Sequence, residues 1–138
     1  MIRALLDTNI ILDALFAREE FGIQAAAIWE AHENELFTGY LSSITPVNVF
    51  YIARKEVKLK KAFQMVRAIM ETFEVCPLDK EILNSGLKLD FNDFEDAVQI
   101  ASAQAEGLDF IITRNLKDYQ NSPIPALLPE EFLQQLAK

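Results

Sequence analysis

The residues in this chain best suited to chemistry are carboxylates, and they fall at the borders of apolar runs. Asp7 directly follows Ile2 to Leu6, and Asp93, Glu95 and Asp96 lie together just ahead of a second apolar stretch. Asp93 and Asp96 are three residues apart, so on a helix they share a face and can present two carboxylates to one ion, whereas Glu95 is expected to point elsewhere. Carboxylates that converge without a lysine among them repel strongly, and a divalent cation relieves that repulsion. Ligation by oxygen alone suits magnesium or manganese. The same residues have a second use: Asp93 can cap the helix, Asp96 can complete a capping box, and Asp7 or Asn9 can cap a helix beginning near Ile10. Convergence of these side chains on one place is what separates the two readings.

Other chemistries find little support. Cys76 is the only cysteine, which excludes an internal disulfide and leaves too few thiolates for a zinc cage. His32 is also alone and reads as a solvated surface residue at the polar end of a helix, so serine-histidine or cysteine-histidine hydrolysis is a poor expectation. The net charge of −8 argues against broad affinity for nucleic acid, which depends on basic residues displacing phosphate counterions. Arg54, Lys55, Lys58, Lys60 and Lys61 nevertheless crowd one short segment, either to steer a phosphate backbone or simply as a solvated turn between helices. No apolar stretch approaches the roughly 20 residues of a bilayer-spanning helix, and Asp7 interrupts the N-terminus before a signal sequence can form. A cytoplasmic location is the resulting expectation.

The elements that must position the carboxylates can be read from the apolar pattern. Ile2 to Leu6 predicts a strand, Asp7-Thr8-Asn9 a turn, and Ile10 to Phe16 a helix. A helix over Phe21 to Asn34, with Ile23, Ala26, Ala27 and Trp29 as its apolar positions, precedes a strand at Leu36 to Tyr40. Thr45-Pro46 starts a helix running to about Val57, and Lys58 to Thr72 forms the next. A strand at Phe73 to Pro77, helices at Asp79 to Leu87 and Asp93 to Glu106, and a strand at Asp109 to Thr113 follow. A weak fifth strand near Ala126 to Leu128 leads into a terminal helix from Pro129. Phe50 and Tyr51, at helical spacing, read as core.

Strands alternating with helices, without hairpin dipeptides, predict right-handed crossovers and a three-layer α/β/α sandwich around a mostly parallel sheet of four to five strands. Ligand sites in such sheets lie beyond the carboxyl ends of the strands. Asp7, Arg114 and Asn115 should therefore project above one sheet edge, where the helix bearing Asp93 and Asp96 also begins.

In these residues the chain resembles the PIN-domain nucleases, and among them the VapC-like toxin halves of bacterial and archaeal toxin-antitoxin pairs. The resemblance rests on Leu5-Leu6-Asp7-Thr8-Asn9, Ser43-Ile44-Thr45-Pro46-Val47-Asn48, Asp93-Phe94-Glu95-Asp96-Ala97 and Thr113-Arg114-Asn115-Leu116-Lys117-Asp118, in that order along nearly the whole chain. It implies a single PIN-like domain over residues 1–138. It also implies a Mg2+- or Mn2+-dependent endoribonuclease that leaves 5′-phosphate and 3′-hydroxyl ends. Asp7 and Asp96 would be the metal-binding carboxylates; Asp93 would help them hold the metal, Asn115 would join the three in the catalytic set, and Thr8, Asn9 and Thr113 would support it. Arg114 suits either a phosphate contact or a structural ion pair. An RNA substrate, an antitoxin protein partner and a homodimer follow from the same resemblance. Two positions depart from the family pattern: Asn48 stands where many members have glutamate, and Asn115 where many have aspartate. Asp93 and Asp118 are the residues available to compensate, and fewer charges imply weaker metal affinity. Two rival classes remain: a PIN-like module that binds RNA or protein without cutting, and a phosphoryl-transfer or receiver domain. The second lacks an aspartate two residues beyond Asp7, where Asn9 stands.

Overall fold

Short β-rich runs in this chain each hand over to a helix, three of them at a polar residue, Asp7, Ser43 or Thr113. In the computed structural model, which describes residues 1–138, that alternation produces five strands and seven α-helices. The order is β1 (Arg3–Leu6), α1 (Thr8–Leu15), α2 (Gly22–Glu33), β2 (Thr38–Ser42), α3 (Ile44–Ala53) and α4 (Leu59–Thr72). Then come β3 (Glu74–Cys76), α5 (Lys80–Lys88), α6 (Phe94–Glu106) and β4 (Phe110–Ile112). A 3-10 turn (Leu116–Tyr119), β5 (Ala126–Leu127) and α7 (Pro129–Leu136) complete the chain.

All strand pairs are parallel, in the order β3-β2-β1-β4-β5, so β1 is central and the strand order reverses beside it. Alternation along the central strands divides the core. Ala4, Leu6 and Ile112 point to one face and pack with residues of α1, α2, α3 and α7, including Ile11, Ile28, Val49 and Phe132. Leu5 and Ile111 point to the other and meet Ile100 and Ala103 of α6. The expected three-layer sandwich is the fold observed. No helix is long and apolar enough to cross a membrane.

Several local expectations need correcting. The buried stripe of α2 is Ala25, Ile28 and Ala31, while Ile23 is 84% exposed. The second strand starts at Thr38 because Glu35, in the left-handed region at φ 59°, ends the preceding helical turn and leaves Leu36 in solvent. Thr45 does not cap α3: Ser43 occupies that position, Thr45 is buried in the first turn, and the helix ends at Ala53. His32 is no solvated surface residue. Its Nδ1 accepts from the Gly39 amide at 2.9 Å and its Nε2 meets the Thr72 carbonyl, joining α2 to β2 and the end of α4. Tyr51 is exposed, not core, and stands edge-on to the half-buried Phe50.

Candidate active site

Asp7 reaches the carboxyl edge because β1 runs out there. Its backbone amide still donates to the Ile112 carbonyl at 2.9 Å, continuing the β1–β4 ladder, and α1 begins at the next residue. Asp7 occupies the N-cap position of α1, yet its side chain makes no capping bond. Its carboxylate turns instead to long-range partners. Oδ2 accepts from Thr113 Oγ1 at 2.8 Å and Oδ1 from Gln99 Nε2 at 3.2 Å. Thr113, just past β4, is fully buried, and its hydroxyl also accepts from the Asn115 amide.

Asp93 caps α6: its Oδ1 accepts from the Asp96 amide at 3.0 Å. The cap sets the first turn of α6 above the sheet edge and turns Asp96 toward Asp7. Tyr119, delivered by the 3-10 turn, donates its hydroxyl to Asp96 Oδ1 at 3.2 Å. Asp93 thus acts as the helix cap the sequence allowed and also lines the cavity with Asp7 and Asp96, without forming a ligating cluster with them.

The cavity at this edge encloses about 330 Å³. Asp7, Asp93, Asp96 and Asp118 line it, together with Thr8, Asn9 and Asn48. Glu95, expected to point away, also faces it, because it accepts from Thr8 Oγ1 at 3.3 Å, and Thr8 in turn meets Thr45 Oγ1 at 2.9 Å. No lysine or arginine lines the cavity. A larger cavity at the opposite edge, beside Met1, His32 and Glu71, contains none of the candidate site residues.

The electrostatics follow from this crowding. Burial, then the charges of Asp93 and Asp7, push the Asp96 carboxyl up to about 7, with only the Tyr119 hydroxyl and its hydrogen bond pulling the other way. Burial also raises Asp7, opposed by hydrogen bonds from Thr113 and Gln99. Such a site favours an added positive charge. Its donors are all oxygens, and as folded it contains no group of three acidic, histidine or cysteine side chains at ligating distance. That arrangement fits magnesium or manganese, which take one or two carboxylates and complete the shell with water and substrate phosphate.

Other residues singled out from sequence lie elsewhere. Asn115 does not line the cavity. Arg114 Nε donates to Asp13 Oδ2 at 2.8 Å and its guanidinium carbon stands 4.4 Å from the Phe21 ring centroid, so it serves a structural ion pair rather than the cavity. Asp13, fully buried, also pairs with Arg18. Arg54, Lys55, Lys58, Lys60 and Lys61 are exposed around the α3–α4 corner, outside the cavity lining. Gln99 and Tyr119 were missed. The available signal was polarity out of place: Gln99 interrupts Ala97-Val98-Ile100-Ala101, all buried on α6.

Comparison with known proteins agrees with this architecture. Ribonuclease VapC1 of Aquifex aeolicus (strain VF5) is 28% identical over 141 residues, spanning 96% of this chain and 94% of that protein. A chain of a toxin-antitoxin complex from Klebsiella pneumoniae is 29% identical, with a TM-score of 0.69 over 91% of this chain and 97% of that one. A chain in the crystal structure of VapBC2 from Rickettsia felis, bound to a DNA fragment from their promoter, shares the fold with a TM-score of 0.71 at 17% identity, covering 92% and 98% of the two chains. A PIN domain family model matches residues 3–117, most of the chain, and on that match the chain belongs to the PIN domain family.

Proposed function

We propose that this protein is a Mg2+- or Mn2+-dependent endoribonuclease and the toxin component of a toxin-antitoxin pair, acting in the cytoplasm. The observation that carries the reading is the pairing of Asp7 and Asp96 across an acidic cavity that no basic side chain neutralises. The ribonuclease and toxin-antitoxin relatives support the choice of RNA and of an antitoxin partner.

Asp7 and Asp96 hold the cation, with Asn9, Asn48, Asp93 and Asp118 in reach for direct or water-mediated contact. When bound, the cation neutralises charge on the scissile phosphodiester and activates the attacking water. Thr113 and Gln99 fix the Asp7 oxygens, and the Asp93 cap fixes the helix turn that bears Asp96. An exposed groove at a sheet edge admits single-stranded or looped RNA more readily than a regular duplex. Arg54, Lys55, Lys58, Lys60 and Lys61 guide the backbone from outside the cavity. A homodimer through helical faces belongs to the same proposal, and α3–α4, where Val47, Tyr51 and Phe63 are exposed, offers an apolar face for it.

A second reading is favoured by Asn48, an amide on the cavity wall where a carboxylate would strengthen metal binding. On that reading the protein grips RNA or its partner with little turnover. Purified protein incubated with a mixed structured and single-stranded RNA pool in Mg2+ or Mn2+ decides between them. Cleavage lost with chelator and in Asp7→Asn supports the nuclease. Metal binding without cleavage supports the binding module.

A further inference from the structure

Beneath the two carboxylates runs a buried polar chain whose role packing does not explain. Gln99 is fully buried on α6. Its Nε2 donates both to Asp7 Oδ1 at 3.2 Å and to the Tyr119 hydroxyl at 2.9 Å, and that hydroxyl donates to Asp96 Oδ1 at 3.2 Å. Tyr119 is 4% exposed, so the chain is shut off from water for most of its length. Its direction is dictated by chemistry. An amide nitrogen only donates and an ionised carboxylate only accepts, so with Asp7 ionised, turning the amide over would set its oxygen against that charge. In the orientation present, Gln99 Oε1 is left buried with no partner. An apolar side chain of similar length would avoid that cost and fill the same space.

We infer that Gln99 and Tyr119 are positioning residues, a strut that holds Asp7 and Asp96 at a set separation and in set rotamers before a cation arrives. Thr113 completes the brace by holding the second oxygen of Asp7. Each carboxylate oxygen accepts more than one bond, so the braced oxygens keep a lone pair for the cation. The strut also runs between α6 and the 3-10 turn, tying the carboxyl edge together from two segments distant in sequence. This inference rests on the proposed function for what the carboxylates hold, but the strut itself is independent of it.

The test uses Tyr119→Phe, which removes one hydroxyl, and Gln99→Met, which keeps length and bulk, singly and together in the full chain. Calorimetry with Mn2+ should show about 10–100-fold weaker binding in each variant, the usual effect of removing a group that orients a metal ligand. RNA cleavage at saturating Mn2+ should fall in kcat with KM little changed. Either change interrupts the same chain, so the double variant should be no worse than the more affected single one. Wild-type Mn2+ affinity and kcat in Tyr119→Phe would overturn the inference, as would losses that add independently. If the wild-type protein binds no Mn2+ and cleaves no RNA, the functional proposal fails separately. Crystal structures of wild type and Tyr119→Phe grown with chelator then decide the strut: an Asp96 carboxylate swung away in the variant supports it, and an unmoved one overturns it.

Discussion

Asp96→Asn should make the metal-free protein more stable, although it removes a residue of the candidate site. In the fold, burial and the charges of Asp93 and Asp7 raise this carboxyl from the ordinary 3.8 to about 7. The folded protein therefore holds the proton more tightly than the unfolded chain does. The group's favourable contribution is complete below about pH 4 and is lost as the pH rises through about 7. Asparagine copies the shape of the neutral acid and can still accept the Tyr119 hydroxyl, so the variant keeps that contribution at every pH. Because Asp96 is only half-buried, water screens the repulsion, and the gain at about pH 8 is about 1–2 kcal/mol rather than the full thousandfold change in proton affinity. Loss of a carboxylate from the first turn of α6, where the helix dipole favours it by about 0.3–1 kcal/mol, sets the result toward the lower end. For a domain of this size the gain is a rise in Tm of about 3–7 °C. Thermal unfolding of both proteins in chelator between about pH 4 and 8.5 should show coincident Tm values at the acid end and divergence toward pH 7. With millimolar Mn2+ at about pH 8 the order should reverse, because wild type alone gains binding energy. A variant less stable than wild type in chelator at pH 8, or a gain that does not change with pH, would show that the fold does not favour the neutral form of Asp96.

Three further outcomes follow from particular contacts. Asp13→Ala leaves Arg114 and Arg18 facing a buried void and should cost about 2–4 kcal/mol in urea unfolding, tempered because those side chains keep 24% and 33% of their exposure; a cost under about 1 kcal/mol would show that the ion triad is dispensable. Asp93→Ala should lose about 1 kcal/mol through the α6 cap, whereas Asp93→Asn, which retains an acceptor for the Asp96 amide, should unfold close to wild type; equal losses would assign the effect to charge instead. Replacing Lys58, Lys60 and Lys61 together by alanine should raise the KM for RNA without lowering kcat and flatten the log-log salt dependence by up to about 2, and an unchanged slope would remove this corner from the RNA path.

The sequence made the frame of the site legible wherever chemistry and local structure coincide. Asp7 ends an apolar run at the point where a strand must stop, and Asp93 announces a helix start, so both could be placed above one sheet edge from spacing and crossover handedness alone. Glu95 was misjudged because helical geometry describes its own helix and not Thr8, which lies on α1 and takes up its carboxylate. Gln99 and Tyr119 are joined across segments that only the folded sheet brings together. Local pattern carries no information about such pairs. Asp13 is a similar case: an aspartate amid Ile10, Ile11, Leu12, Ala14 and Leu15 signals a buried, paired charge, but its partner Arg114 lies beyond β4. Boundaries slipped where one backbone conformation, such as the left-handed Glu35, shifted the start of a strand.

The central claim is that Asp7 and Asp96 together hold the divalent cation. Anomalous diffraction from crystals grown with Mn2+ tests it most directly. A single strong peak is expected between the two carboxylates, at about 2.0–2.2 Å from an oxygen of each, absent from Asp7→Asn crystals. A peak elsewhere, or none at saturating Mn2+, would contradict it.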